Sequence, residues 1–117
     1  MKTMDPKALF RDFPGAITVC DSDGIILALN DKALETFAAD GGASLLGTNV
    51  LDCHPEPARS KLKNMMAEGR TNVYTIEKKG VKKLIYQSPW TENGTIRGFL
   101  ELSLVIPDVM PHFLRPS

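Results

Sequence analysis

The sequence predicts an α+β domain, an antiparallel sheet with helices packed over one of its faces. Three observations carry this reading. Ile96 to Ile106 sets Ile96, Leu100, Leu102, Leu104 and Ile106 at alternate positions, the pattern of a long strand with one face on a core. Asp23-Gly24 and Asn93-Gly94 each separate two strand-like runs, and tight hairpins of this kind make the joined strands antiparallel. Between the front pair of strands and the back three lie segments of helical period. A lone hairpin is not stable in water, so the front pair belongs to the same sheet, and the long last strand is the natural partner of the first.

The elements follow in order. Asp5-Pro6 opens a short helix, Asp5 as cap and Pro6 in the first turn, with Leu9, Phe10 and Phe13 near one face. That face either covers the domain's own core or docks a second copy. Pro14-Gly15 stops it. Ala16 to Asp21 is a strand, Asp21-Ser22-Asp23-Gly24 a tight turn, and Ile25 to Asn30 the return strand. Asn30 or Asp31 caps a helix carrying Ala33, Leu34, Phe37 and Ala38 at helical spacing, and Asp40-Gly41-Gly42 ends it. Ala43 to Cys53 is irregular. Pro55 then starts a better helix, Glu56 to Glu68, with Ala58, Leu62, Met65 and Met66 as its apolar face and Gly69 as its stop. Asn72 to Lys79, Val81 to Trp90 and the long strand complete the sheet through turns at Lys79-Gly80 and Asn93-Gly94. Pro107, Pro111 and Pro116 make a non-strand tail in which Phe113 and Leu114 are candidates for docking.

Composition narrows the function. The chain has 117 residues, enough for one buried core. Its 14 basic and 14 acidic residues balance, so charge gives no case for nucleic acid or an anionic membrane as partner. No apolar run is long enough to span a bilayer, and the first residues lack a signal-peptide core, so the expected compartment is the cytoplasm. In a reducing compartment Cys20 and Cys53 read as free, partly buried thiols.

The residues resemble the PAS sensor domain family over Phe13 to Ile106. The opening AITVCDSDGIILALN looks like that family's first hairpin ending in Asn30. LLGTNVLDCHPEPARSKL is similar to its Gly-x-Asn and His-Pro-x-x-Arg approach to the long helix, and a strand, Glu-Asn-Gly, strand ending completes the likeness. The resemblance implies a five-stranded antiparallel sheet in spatial order 2-1-5-4-3, with helices on one face and a ligand or signal cavity between them. It divides the chain into an N-terminal helical segment, 1–13, a PAS domain, 14–106, and a Pro-rich tail, 107–117. It also implies a sensing, dimerising or relaying role in place of catalysis. No Ser-His-Asp order, phosphate loop or kinase signature is readable.

Cofactor chemistry is weighed residue by residue. Cys53 and His54 are adjacent, so their side chains diverge and make a poor dyad, and no second cluster stands by for zinc. His54 is the weak candidate for a haem ligand, with helix entry as its plainer role. In the oxygen-sensing haem type of PAS domain the resemblance puts the iron-binding histidine at about Leu62, which cannot ligate iron. In the light-sensing flavin type a cysteine follows Gly-x-Asn, where Gly47-Thr48-Asn49 is followed by Val50. Both standard modes are therefore disfavoured. The candidate lining of an apolar cavity is Ile26, Ala28, Phe37, Val50, Leu62, Met65, Met66, Tyr74, Tyr86, Leu100 and Leu102. Tyr74, Tyr86 and Ser88 are its polar handles. These residues either bind a ligand or simply complete a core.

Three functions compete on these residues. The first is a sensor of a small apolar or aromatic molecule. The second is an interaction module with a filled core. The third is a haem or flavin redox sensor using a nonstandard ligand such as His54. A homodimer is expected, through Leu9, Phe10 and Phe13 and through Phe99 and Val105 on an exposed outer sheet face. With no room for an effector domain, the partner would be a histidine kinase or a transcription regulator.

Overall fold

The computed structural model describes residues 3–53 and 55–117, with Cys53 described by its backbone. Local chemistry sets each element. Helix α1 (Pro6–Asp12) starts where the Asp5 carboxylate accepts the Lys7 backbone N–H at 3.0 Å. Strands β1 (Ala16–Asp21) and β2 (Ile26–Leu29) are joined by a turn in which one Asp21 oxygen accepts the N–H of Asp23 and of Ile25, each at 2.9 Å. Residues 47–50 run along the free edge of β2. Gly47 donates to the Ile26 carbonyl, Ile26 to the Thr48 carbonyl and Val50 to the Gly24 carbonyl, at 2.9, 2.9 and 2.8 Å. An edge that would otherwise be open is thereby covered.

Helix α2 (Asp31–Thr36) is capped by Asn30. Three short 3₁₀ turns follow: Ala38–Asp40 where the helix was expected to end, and Gly42–Leu45 and Val50–Cys53 in and beside the stretch read as irregular. Helix α3 (Ala58–Glu68) ends at left-handed Gly69. Strands β3 (Asn72–Lys78), β4 (Val81–Glu92) and β5 (Thr95–Ile106) follow. Asn93 and Gly94 both take positive φ, 52° and 80°, which a two-residue hairpin turn of this twist requires. The sheet order is β2-β1-β5-β4-β3, antiparallel throughout. The fold class and strand order are those expected from the sequence.

The face assignment of the sheet is not. The core consists of Cys20, Ile26, Val50, Leu51, Leu62, Met65 and Phe99, with Leu29, Leu45 and Met66 against it. Phe99 is 1% exposed and stands opposite Cys20 in the β1–β5 register. The odd residues of β5 therefore face the helices, and Leu100, Leu102, Leu104 and Ile106 face the other way. Paired residues share a face, so Ile17, Val19, Leu84, Tyr86 and Ser88 lie on that outer side with them, and so does Ala28, opposite Val19. The expected outer position of Phe99 is thus overturned. Val105 shares the parity of Phe99 but lies beyond the helical cover, where it is 65% exposed beside Lys32, Glu35 and Lys83. The reason is that β5 is apolar on both faces, so alternation alone does not say which face the helices take.

Trp90 and Gly98 are opposite one another on β4 and β5. The Trp90 indole N–H donates to the Cys20 carbonyl on β1 at 2.9 Å, tying three strands at one point. A Cβ on Gly98 would collide with that carbonyl oxygen and sit 2.8 Å from the Asp21 Cα, so only glycine allows β1 to close on β5 here. In the tail, Phe113 and Leu114 are 70% and 90% exposed and do not dock on the domain.

Candidate functional site

Between the inner face of the sheet and the segment from α2 through the 3₁₀ turns lies a cavity of about 440 Å³. Its apolar wall is Ile26 and Leu29 from β2, Phe37 after α2, and Leu45 and Val50 from the 3₁₀ turns. Its polar wall is Thr18 on β1 and Glu101 on β5, with exposed Asp40 at the mouth. A second cavity of about 360 Å³ lies between α3 and β3–β4, lined by Leu62, Tyr74, Asn72, Gln87 and Lys61 among others. Both volumes are in the range of small-molecule sites.

One row of side chains connects the two. The register sets Leu29 opposite Thr18, Thr18 opposite Glu101, Glu101 opposite Gln87 and Gln87 opposite Asn72, a line across all five strands on the face that carries the core. Four of these five are polar, where a purely structural face would be apolar. Thr18 is 7% and Gln87 5% exposed. Asn72 donates its side-chain N–H to the Gln87 side-chain amide oxygen, Oε1, at 3.1 Å. Thr18 and Glu101 from this row line the larger cavity.

Glu101 colours this face electrostatically. The Cys20 thiol is pushed up to about 12, by burial first and then by the Glu101 and Asp21 carboxylates. Tyr74 is also raised, again by burial first and Glu101 second. Cys20 is a free thiol, and its raised value makes it an unreactive one. An acid whose folded pKa lies above its unfolded value holds its proton more tightly when folded. Its contribution to stability is therefore full below about 9 and is lost as pH climbs toward 12. Urea midpoints measured across that window should fall more steeply for the wild type than for Cys20→Ala, and equal slopes would remove Cys20 as a cause.

Of the residues proposed from sequence, Ile26, Phe37 and Val50 line the larger cavity, Leu62 and Tyr74 line the second, and Met65 and Met66 belong to the core beneath α3. Met66 also borders a shallower surface pocket with Leu51. Ala28, Tyr86, Leu100 and Leu102 are corrected: they lie on the opposite face of the sheet and touch neither cavity. Ser88 goes with them. Thr18, Leu29, Leu45, Glu101, Gln87 and Asn72 were missed. The signal that would have found them is parity, because each polar residue stands two places from a core position (Thr18 from Cys20, Glu101 from Phe99, Gln87 from Ile85). Leu62 packs in the core at the position where the resemblance puts an iron-binding histidine, and it offers no ligand atom. His54, the weak haem-ligand candidate, lies outside the described residues. Among the described residues no cluster of three or more His, Cys, Asp or Glu side chains is placed to hold a metal ion.

With this geometry in hand, comparison with solved structures identifies the fold. The PAS domain of an HTR-like protein from Haloarcula marismortui matches with a TM-score of 0.57 at 20% identity, over 86% of this chain and 88% of that one. The Aer2 receptor from Vibrio cholerae, described as a dual PAS-haem oxygen sensor, matches with a TM-score of 0.58 at 22% identity, over 80% and 95%. VqmA from Vibrio cholerae, described as a dimer with a target DNA, matches with a TM-score of 0.66 at 15% identity, over 92% of this chain and 53% of its own. The chain thus spans about half the length of VqmA. The chain has the PAS fold. No protein-family model matches the sequence, and no curated protein does. No helix among the described residues is long and apolar enough to cross a membrane.

Proposed function

We propose that this chain is a sensory module that binds a small molecule in the cavity under β1, β2 and β5 and passes the signal on through a dimer. The observation that carries the reading is the cavity itself. It is walled by Ile26, Leu29, Phe37, Leu45 and Val50, with Thr18 and Glu101 as its polar side. A core built only for stability fills such a space. Native mass spectrometry of the purified protein tests this. A retained small molecule, lost in Ile26→Trp, is the expected result. A bare mass, together with no uptake from a metabolite extract, would favour the module with a filled core.

The outer face of the sheet supports the dimer. Ile17, Val19, Leu100, Leu102 and Leu104 form an apolar surface there, half-buried within one copy. The rings and methyls of Phe13 and Leu104 meet at Gly15, which brings the end of α1 to the margin of this surface. Leu9 stays more than half exposed on α1. One apolar patch used twice about a twofold axis satisfies both copies. Sedimentation at tens of micromolar, the regime of an interface of roughly −6 to −7 kcal/mol, should show a wild-type dimer and a Leu102→Glu monomer. A monomeric wild type ends the dimer reading. A histidine kinase or a transcription regulator remains the proposed recipient of the signal, and the chain's zero net charge favours a protein over nucleic acid as its direct contact.

A further inference from the structure

We propose that the larger cavity takes a small amphipathic amine, its ammonium group at Glu101 and Thr18 and its apolar body against Ile26, Phe37 and Val50. This inference rests on the ligand cavity proposed above and adds the class of ligand.

Among the described residues the charge of the lining is one-sided. The ionisable groups on the wall are Glu101 inside and Asp40 at the mouth, and no lysine, arginine or histidine lines the cavity among the described residues. A carboxylate ligand entering here would meet charge of its own sign in a partly desolvated space, where such repulsion is least screened. A cation meets opposite charge on the wall and at the entrance. Glu101 already engages another group of the chain. A carboxylate accepts at about four lone-pair sites and donates at none, so it retains capacity for a ligand's N–H. Thr18, which directly opposes Glu101, is 7% exposed and lines the same cavity. The two side chains thus offer a convergent acceptor pair on one wall, and the remaining wall is hydrocarbon. Charge-assisted hydrogen bonds to a carboxylate are stronger than neutral ones, so the head group, and not the body, should rank the ligands.

Two matched series separate head from body: 2-phenylethylamine, 2-phenylethanol and 3-phenylpropanoate, and hexylamine, hexanol and hexanoate. Titration calorimetry on the full chain should find the amine of each series bound at least tenfold tighter than the alcohol, with no binding of the acid. Glu101→Gln should bring the amine down to the level of the alcohol while leaving the alcohol unchanged. Thr18→Val should weaken both. Thermal unfolding of each variant, read alongside, identifies one that fails to fold, and Glu101→Asp then replaces it, with the amine preference retained at reduced affinity. An acid that binds as well as the amine, or an amine indifferent to Glu101→Gln, overturns the amine class. If either of those ligands is expelled by Ile26→Trp, the cavity reading survives its failure. If none of the six binds, the amine class falls, and the mass-spectrometric result above judges the cavity separately.

Discussion

Phe99→Ala is expected to destabilise the domain by roughly 3–5 kcal/mol, the cost of removing a large buried aromatic and leaving its cavity behind. Phe99 is the largest fully buried side chain among the described residues, and it stands where β1, β5, α3 and the 3₁₀ turn at Val50 converge. Little around it can collapse to refill the space. Its β1 neighbour Cys20 is pinned through the carbonyl that Trp90 holds, and Gly98 next to it locks β5 against β1. Leu102→Ala is the control on the other face. It deletes about half as much hydrocarbon, from a half-buried position, so its cost within one copy should be about 1 kcal/mol. Urea unfolding at low micromolar protein, where a weak dimer is dissociated, makes the comparison. Equal costs for the two would mean that the helices do not select the Phe99 face.

That contrast also locates what the sequence could and could not disclose. Element order, hairpins and strand order were legible because their causes are local: Asp21 folding its side chain onto the turn, Asn93-Gly94 accepting positive φ, Asn30 and Gly69 bounding helices. The faces were not, because they depend on a choice between two apolar sides of β5. Five aliphatics on the even side outweighed Phe99 and Val105 on the odd side, although one fully buried ring with Cys20, Leu62 and Met65 around it makes the core. The missing aliphatic mass is supplied from β2 and the 3₁₀ turns, which no periodicity advertises. The same inversion moved Leu100, Leu102, Ala28 and Tyr86 out of the cavity and brought Thr18 and Glu101 in. Reading polar residues as outward is sound for a structural sheet, and it fails where a face is shared between core and cavity.

Asn30→Ala is expected to cost about as much as the loss of Phe99, roughly 3–5 kcal/mol, although it deletes only three side-chain heavy atoms. Asn30 is 1% exposed, and both ends of its amide are in use. Its oxygen accepts the backbone N–H of Ala33 at 3.0 Å, which caps α2, and that of Ile17 at 2.9 Å, which holds β1. Its nitrogen donates to the Gly15 carbonyl at 2.8 Å and, at 3.4 Å, to that of Phe13. Loss of an N-cap alone costs about 1 kcal/mol. The Ile17 N–H and the Gly15 carbonyl would then lie in a site that water reaches poorly, each losing a partner at about 1–3 kcal/mol. Asn30→Asp separates the two halves of the amide. It keeps both acceptor bonds, and its charge suits the start of α2, but it removes the donation to Gly15 and buries a carboxylate among backbone carbonyls. Its cost should therefore be smaller than that of alanine at neutral pH and should shrink further as the carboxyl protonates and regains a donor. Paired urea titrations at pH 7 and pH 4, each referred to wild type at the same pH, would read this. An alanine variant within about 1 kcal/mol of wild type would mean that water replaces the amide, and that the joint between α1, β1 and α2 is wetter than its burial indicates.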